Sequence, residues 1–464
     1  MATETIERPA TSPTAGPAIP GPERGRRPSP EPAADARRTV VARAALRTIS
    51  RAVVDPGLLA IELGRSAASP AAMGPAPRAR VIVEGPDAVA RLLFPPTPDG
   101  FAEAYLRGDV EIEGEMMAAV QAGEALDLRR LHSTDLRRLI RWGLTLRRGA
   151  APAKRPVRVA RMRGQRHSRA RDMAAIRFHY DVGEDFYRLW LDRRLTYSCA
   201  YFESAAVPEA DLDAAQEAKL DLICRKLGLR EGQRLLDIGC GWGSLIVYAA
   251  ERYGVEALGV TLSERQAAEA NRRAAAAGLG DRARAEVRDY RDLGALGRFD
   301  AVASVGMFEH VGRANLGPYF RATREALLPG GRLLNHGIAT TRTGLDWALR
   351  PGRGHFVDRY VFPDGELVTV ARAIAAARQA GFEVHGMESL RPHYALTLTA
   401  WVRRLEAAWD AAVAAAGEEV ARTWRLYMSA ARLGFERGEL DVAQLLLARP
   451  GIGAPAPRAL RPWW

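Results

Sequence analysis

Cysteine, lysine and long apolar runs are all scarce in this sequence, and each scarcity excludes something. Three cysteines, Cys199, Cys224 and Cys240, among 464 residues cannot build a disulfide framework, and none stands in a CxxC pair. A disulfide-stapled secreted fold and a structural zinc site are therefore not expected, and no metal ligands are assigned. No apolar run approaches the ~20 residues of a membrane-spanning helix. The opening Met1-Ala-Thr-Glu-Thr lacks the basic and apolar segments of a secretory signal. These absences predict a reduced, cytoplasmic protein. Lysine occurs only at Lys154, Lys219 and Lys226, although Lys and Arg together number 67. That imbalance follows GC-rich coding and by itself carries no mechanism.

What is present is ordinary globular composition, 47% hydrophobic and 26% charged, in a chain long enough for two or three domains. The net charge of +12 is concentrated in one place. Between Arg129 and Arg171 fifteen basic residues face one acid, Asp135, so the remainder of the chain is close to neutral. Such a run points to an anionic partner, a membrane surface or nucleic acid, and equally to a solvated linker. Residues 149–171 lack the interleaved aromatics of a single-strand platform, so no nucleic-acid partner is expected.

The pattern divides the chain. Residues 1–38 hold eight prolines among small and charged residues and are expected to be a disordered tail. Residues 39–148 read as a small, mainly helical domain. It has helical patterning over Val40–Ile49, a strand at Arg80-Val-Ile-Val-Glu and an amphipathic basic helix over Leu126–Arg148. That helix, with Leu139, Ile140 and Trp142 beside its arginines, either packs on its own domain or lies on anionic lipid. Residues 149–171 read as a basic linker, 172–448 as the catalytic domain and 449–464 as a tail. From Leu220 onward strands and helices alternate: Arg234–Ile238, Ala257–Thr261, Ala283–Asp289, Phe299–Gly306 and Gly331–His336 as strands, with helices between. Right-handed crossovers then give a largely parallel sheet covered on both faces. Past Asp346 the chain reads as helical to its end.

The motif Leu235-Leu-Asp-Ile-Gly-Cys-Gly-Trp-Gly-Ser joins a strand to a helix through Gly239, Gly241 and Gly243. Glycines there let the backbone approach a ligand at the carboxyl edge of the sheet. Asp237 inside the loop gives the Asp-x-Gly-x-Gly-x-Gly form of class I S-adenosylmethionine (SAM) methyltransferases rather than the GxGxxG of nicotinamide proteins. The next strand ends at Thr261, with Gln266 one turn on, so neutral groups take the place of the usual ribose-binding acid. Asp289 and Tyr290 end the third strand, where they flank the adenine. Glu309 and His310 stand at the end of the fourth.

At these residues the chain resembles the cyclopropane-fatty-acid synthase family, which includes the mycolic acid cyclopropane synthases. The matching segments are His179-Tyr-Asp-Val-Gly-Glu-Asp-Phe-Tyr, Tyr197-Ser-Cys-Ala-Tyr-Phe, the glycine loop and Gly259-Val-Thr-Leu-Ser. Gly306-Met-Phe-Glu-His-Val-Gly, Phe356-Val-Asp-Arg-Tyr-Val-Phe-Pro and His393-Tyr-Ala-Leu-Thr-Leu-Thr-Ala-Trp complete the set. The likeness covers roughly residues 170–448, and more loosely 101–114. It implies a seven-stranded α/β methyltransferase sheet, with Tyr180, Tyr197 and Ser198 joining the residues above around SAM. It also implies attack of a cis double bond of a phospholipid acyl chain on the sulfonium methyl, and a cation deprotonated by bound bicarbonate. Bicarbonate would be held by Cys199, Glu309, His336, the backbone of Ile338 and Tyr394. Read alone, Cys199 is a small buried hydrophobe and His336 a structural histidine; the surrounding motifs reverse both. Departures stand at Asp364-Gly-Glu-Leu-Val-Thr and at Arg342, Arg350 and Arg353, and they bear on product and headgroup. The sequence leaves open a cyclopropane or a methylene- or methyl-branched product, and whether the chain is a homodimer. Methylation of a small amine is a weaker alternative.

Overall fold

The apolar strand segments and their intervening amphipathic helices build two sheets. A computed structural model describes residues 32–65, 76–94, 98–148, 150–152, 158–180, 182–203, 208–341 and 355–451. Of the tails expected at 1–38 and 449–464, residues 1–31 and 452–464 lie outside the described residues, as do Arg342, Arg350 and Arg353.

The N-terminal unit comprises α1 (Pro32–Ser50), β1 (Leu59–Leu63), β2 (Ala79–Val83), α2 (Pro86–Leu93), α3 (Pro98–Arg107), β3 (Val110–Gly114), α4 (Met116–Glu124) and α5 (Ser133–Arg147). Its three strands form a small sheet, β1 parallel and β3 antiparallel to β2, within a unit whose residues are mainly helical. Helix α1 begins at Pro32, inside the stretch expected to be tail.

The second unit opens with α6 (Arg169–Tyr180), α7 (Glu184–Arg188) and α8 (Pro208–Leu227). Alternation then follows: β4 (Arg234–Ile238), α9 (Ser244–Tyr253), β5 (Glu256–Thr261), α10 (Glu264–Ala276), β6 (Ala283–Val287), β7 (Phe299–Val305), α11 (Leu316–Ala326) and β8 (Leu327–Thr340). The chain ends with α12 (His355–Tyr360), α13 (Val370–Gln379), β9 (Glu383–Ser389), α14 (Arg391–Ala407), α15 (Trp409–Ala416), α16 (Glu418–Glu436) and β10 (Leu440–Ala448). The seven strands lie in the order β6-β5-β4-β7-β8-β10-β9. Strands β4 to β8 run parallel, while β10 is antiparallel to both its neighbours. The expectation of helix to the chain end is thus corrected at β9 and at the last element, β10. Leu440–Ala448 is almost wholly buried between two strands, and a strand buried on both faces shows no alternation to distinguish it from a helix.

The expected basic linker is also corrected in part. Helix α6 begins at Arg169, and the arginines before and within it are tied to the second unit. Arg171 and Arg166 pair with Asp364, and Arg169 pairs with Asp292. The two units are joined through α16, where buried Arg422 donates to the carbonyls of Tyr105 (3.0 Å) and Val110 (3.3 Å) and pairs with Glu111.

Candidate active site

Two adjoining constellations form at the carboxyl edge of the parallel sheet. The first is a cleft of about 1210 Å³, its open mouth included. Its walls include Tyr180 from α6, Tyr197 and Ser198 from the loop after α7, Asp237 from β4, and Gly239 and Gly241 from the turn after it. Thr261, Gln266 and Tyr290 close the far side. Gly241 has φ +54°, and a Cβ there would meet nothing within 4 Å, so the loop leaves open space where a ligand backs onto the chain. Asp237 is buried, its Oδ1 has no hydrogen-bond partner among the described residues, and burial pushes its carboxyl up to about 7. Thr261 Oγ1 donates to Gln266 Oε1 at 2.7 Å, so the two neutral groups expected in place of a ribose-binding acid are held together. These are features a zwitterionic, hydroxylated cofactor fits: a glycine cradle, an orphaned carboxylate and polar amide groups.

Two of the residues expected at the cofactor do not line this cleft. Asp289 does not line it; its carboxylate accepts the Arg291 N–H at 2.9 Å and pairs with the Arg291 side chain, capping the following turn. Gly243 is likewise outside the lining and begins α9, where a Cβ would sit 2.8 Å from Ala270 Cβ. Cys240 of the glycine loop also lines the cleft.

The second constellation lies beside the first, where β7 and β8 end and the antiparallel β10 begins. Glu309 Oε1 accepts the Ile338 N–H at 2.6 Å, while Oε2 is buried without a partner among the described residues. Burial pushes its carboxyl up to about 7. Ile338 therefore participates through an amide already engaged by Glu309. His336 precedes it by two residues on the same face of β8 and is opposite Gln444 of β10. Val442, opposite Ile338, accepts the Leu390 N–H at 2.8 Å. The Leu390 carbonyl in turn receives the Tyr394 N–H at 3.0 Å and Cys199 Sγ at 3.7 Å. A short backbone relay thus brings Cys199, Glu309, His336, Ile338 and Tyr394 to one place. All are buried or nearly so, and burial raises the Cys199 thiol and the Tyr394 hydroxyl.

Sequence reading missed the residues behind His336. Lys226 of α8 donates to Gln444 Oε1 at 2.7 Å and pairs with Glu388, so the Gln444 amide nitrogen is left to donate to His336 Nδ1 at 3.2 Å. This fixes His336 as the neutral tautomer with its proton on Nε2. Burial and the two nearby lysines push the ring down to about 3, so it stays neutral. No local motif marks Gln444, because its role arises only when β10 inserts beside β8. Around both constellations packs an aromatic wall: His179, Tyr197, Phe362, Trp401 and Trp424, with His179 stacked 3.8 Å from Phe362 and 4.7 Å from Trp424. This wall excludes water from the space beside the acid.

Residues 167–445 match the family model described as mycolic acid cyclopropane synthetase. The chain is 39% identical over 378 residues, 82% of its length and 89% of the relative's, to a Pseudomonas putida protein named "Probable fatty acid methyltransferase". It is 37% identical over 271 residues, 58% of this chain and 66% of the other, to cyclopropane-fatty-acyl-phospholipid synthase of Escherichia coli K12. Among solved structures, mycolic acid cyclopropane synthase CmaA1 complexed with SAH and CTAB aligns with TM-score 0.55 at 34% identity, over 60% of this chain and 98% of that one. A coclaurine N-methyltransferase structure, TM-score 0.55 at 20% identity, shares the fold alone. The family match spans more than half the chain, including the sheet whose carboxyl edge carries the cleft, so the chain belongs to the mycolic acid cyclopropane synthetase family and is a SAM-dependent methyltransferase.

Proposed function

We propose that the protein modifies the cis double bond of an unsaturated phospholipid acyl chain, adding one carbon from SAM and closing it to a cyclopropane. The observation that carries this reading is Glu309, a buried carboxyl with one oxygen on Ile338 N–H and the other unpartnered, beside Cys199, His336 and Tyr394. SAM, held by the glycine loop with Asp237, Thr261 and Gln266, supplies an electrophilic methyl group. An alkene is a weak nucleophile, so the chain's contribution is orientation within a dry aromatic space. Bicarbonate, held by the Glu309 cluster, supplies a proton acceptor small enough to reach a cation on the acyl chain. Glu309, held up at about 7, shares a proton there rather than opposing an anion with a full charge. The neutral His336 Nε2–H offers a second donor. Names of relatives carrying "fatty acid methyltransferase" and "cyclopropane-fatty-acyl-phospholipid synthase" both support acyl chains as substrates.

Incubation with SAM and dioleoyl phospholipid, followed by mass spectrometry of the fatty acid methyl esters, is expected to show a gain of one CH₂ (about 14 mass units). Cyclopropyl proton signals are then expected by NMR. Olefinic methylene or methyl-branch signals would replace the cyclopropane by a branched product, and no mass gain would overturn the acyl substrate.

The bilayer is reached, in the same proposal, through α5. No helix among the described residues is long and apolar enough to cross a membrane. Of the two readings of this helix, Leu139 and Trp142 follow the first and are partly buried against the core of the protein. The exposed apolar stripe is Leu136, Ile140 and Leu144, spaced i, i+4, i+8, with exposed Arg137, Arg138, Arg141, Arg147 and Arg148 around it. A cationic, apolar-ridged helix on the surface is the arrangement that lies in an anionic headgroup layer. Each near-surface cation contributes about 1 kcal/mol, so reversing Arg137, Arg138 and Arg141 to Glu is expected to weaken binding to anionic vesicles by roughly two orders of magnitude. Flotation assays should show this loss, and a steep decline of wild-type binding with salt, with SAM affinity unchanged. Equal binding of the wild type to neutral and anionic vesicles would overturn the docking face. A dimer by ultracentrifugation that the triple variant dissolves would reassign it to contact between copies.

A further inference from the structure

Only three lysines occur in the chain, and the two within the described residues are both buried, on one face of α8: Lys219 is 1% and Lys226 2% exposed. Lys226 is accounted for by Glu388 and Gln444. Lys219 is not. Lys219 is among the residues lining the cofactor cleft, and its ammonium donates to Ser198 Oγ at 2.8 Å, with no carboxylate within ion-pairing distance among the described residues. A buried ammonium with one neutral partner and two remaining N–H groups is costly unless an anion completes it. Burial pushes it down to about 8, while Asp192 and Asp237 act in the opposite direction from a distance.

Its surroundings are built to hold it in place. Gln216, one turn earlier on α8, donates to the carbonyls of Thr196 (3.2 Å) and Ser198 (2.8 Å). Asp192 accepts the Thr196 N–H at 2.6 Å. Leu195, between them, is a non-glycine residue at φ +55°, a strained conformation that persists where the surroundings over-determine it. The strap Thr196–Ser198 is thereby pressed against Lys219 on the same wall of the cleft. The cofactor carries one fixed anion, the carboxylate of its methionyl group, and the cleft lining offers Lys219 as a buried cation near Ser198.

We propose that Lys219 anchors the carboxylate of the SAM methionyl group, with Ser198 Oγ as the adjoining hydrogen-bonding group. This rests on the assignment of the cleft to SAM. The two remaining Nζ–H groups supply charge-assisted donors to the carboxylate, and Asp237, unpartnered at Oδ1, complements the α-ammonium of the same zwitterion. Lysine suits this place because it is a point charge on a thin stem, whereas a planar guanidinium needs a wider slot.

The test uses the full-length protein and two ligands, S-adenosylhomocysteine and its decarboxylated analogue, which keeps the amine and lacks only the carboxylate. By calorimetry the wild type is expected to favour S-adenosylhomocysteine by at least about tenfold. Lys219→Met, whose unbranched side chain fills the same buried space, is expected to lose at least about tenfold for S-adenosylhomocysteine. For the analogue it should change by less than about threefold, so the discrimination collapses. In turnover assays the variant should raise KM for SAM far more than it lowers kcat. Loss of affinity for both ligands alike, or for neither, overturns the proposal. Should Lys219→Met fail to fold, the wild type alone still decides: equal affinity for the two ligands overturns it. A wild type that binds neither ligand overturns the assignment of the cleft to SAM and this proposal with it, a result separable from loss of discrimination alone.

Discussion

Replacing Glu309 by Gln is expected to lower turnover by about two to three orders of magnitude, within the range by which a positioned acid or base accelerates proton transfer. SAM affinity should stay within about threefold of the wild type. The amide keeps the shape of the carboxyl and retains an acceptor for the Ile338 N–H, now received by Oε1 at 2.6 Å. What it loses is an ionisable oxygen at the unpartnered Oε2 position. The loss therefore falls on the chemical step and not on cofactor binding. Bicarbonate depletion should slow the wild type as well; a wild-type rate indifferent to bicarbonate would refute the assignment of the cluster. Stability supplies an independent check. Burial raises Glu309 from 4.5 to about 7, so the native protein keeps a proton that the unfolded chain releases. The stability contributed by that proton is full below about pH 4.5 and is lost as pH rises through about 7. Gln cannot ionise, so the melting temperature of Glu309→Gln should gain on the wild type across that window. A constant difference would mean that Glu309 is not held protonated.

Gly241→Val is expected to weaken SAM binding at least about a hundredfold while the protein stays folded by circular dichroism. Gly241 sits at φ +54°, where an L-residue costs about 1–2 kcal/mol, so the melting temperature should fall by a few degrees. The new side chain meets no protein atom within 4 Å of its Cβ and instead enters the open cleft. Gly243→Ala is the control: its Cβ would lie 2.8 Å from Ala270 Cβ and 3.1 Å from Ala270 Cα. That variant should destabilise the packing of α9 on α10, with a proportionally smaller effect on SAM once folded. If Gly241→Val binds SAM as tightly as the wild type does, the loop is not the cofactor's cradle.

The sequence by itself determined whatever depends on near neighbours along the chain. The alternation of apolar strand and amphipathic helix from Arg234 to Thr340 is legible because each βα unit declares its own period, and the glycine loop because its turn requires those residues at that spacing. The identities of Cys199, Glu309, His336 and Tyr394 came from motifs, but no motif states how four distant segments meet. Only the tertiary structure decided that, through the relay from Ile338 to Val442 to Leu390. It also turned the Asp289 carboxylate onto its own turn, a use indistinguishable in sequence from ligand binding. The basic run, uniform in sequence, splits in space. Arg166, Arg169 and Arg171 meet acids far along the chain, while the arginines of α5 face outward with Leu136, Ile140 and Leu144. Strand β10 shows the reason most plainly. Leu440–Ala448 is an apolar segment with no intrinsic period, and it becomes a strand because β8 and β9 present unpaired backbone on both sides. Gln444 acquires its role toward His336, and Lys226 its role toward Gln444, only through that non-local pairing.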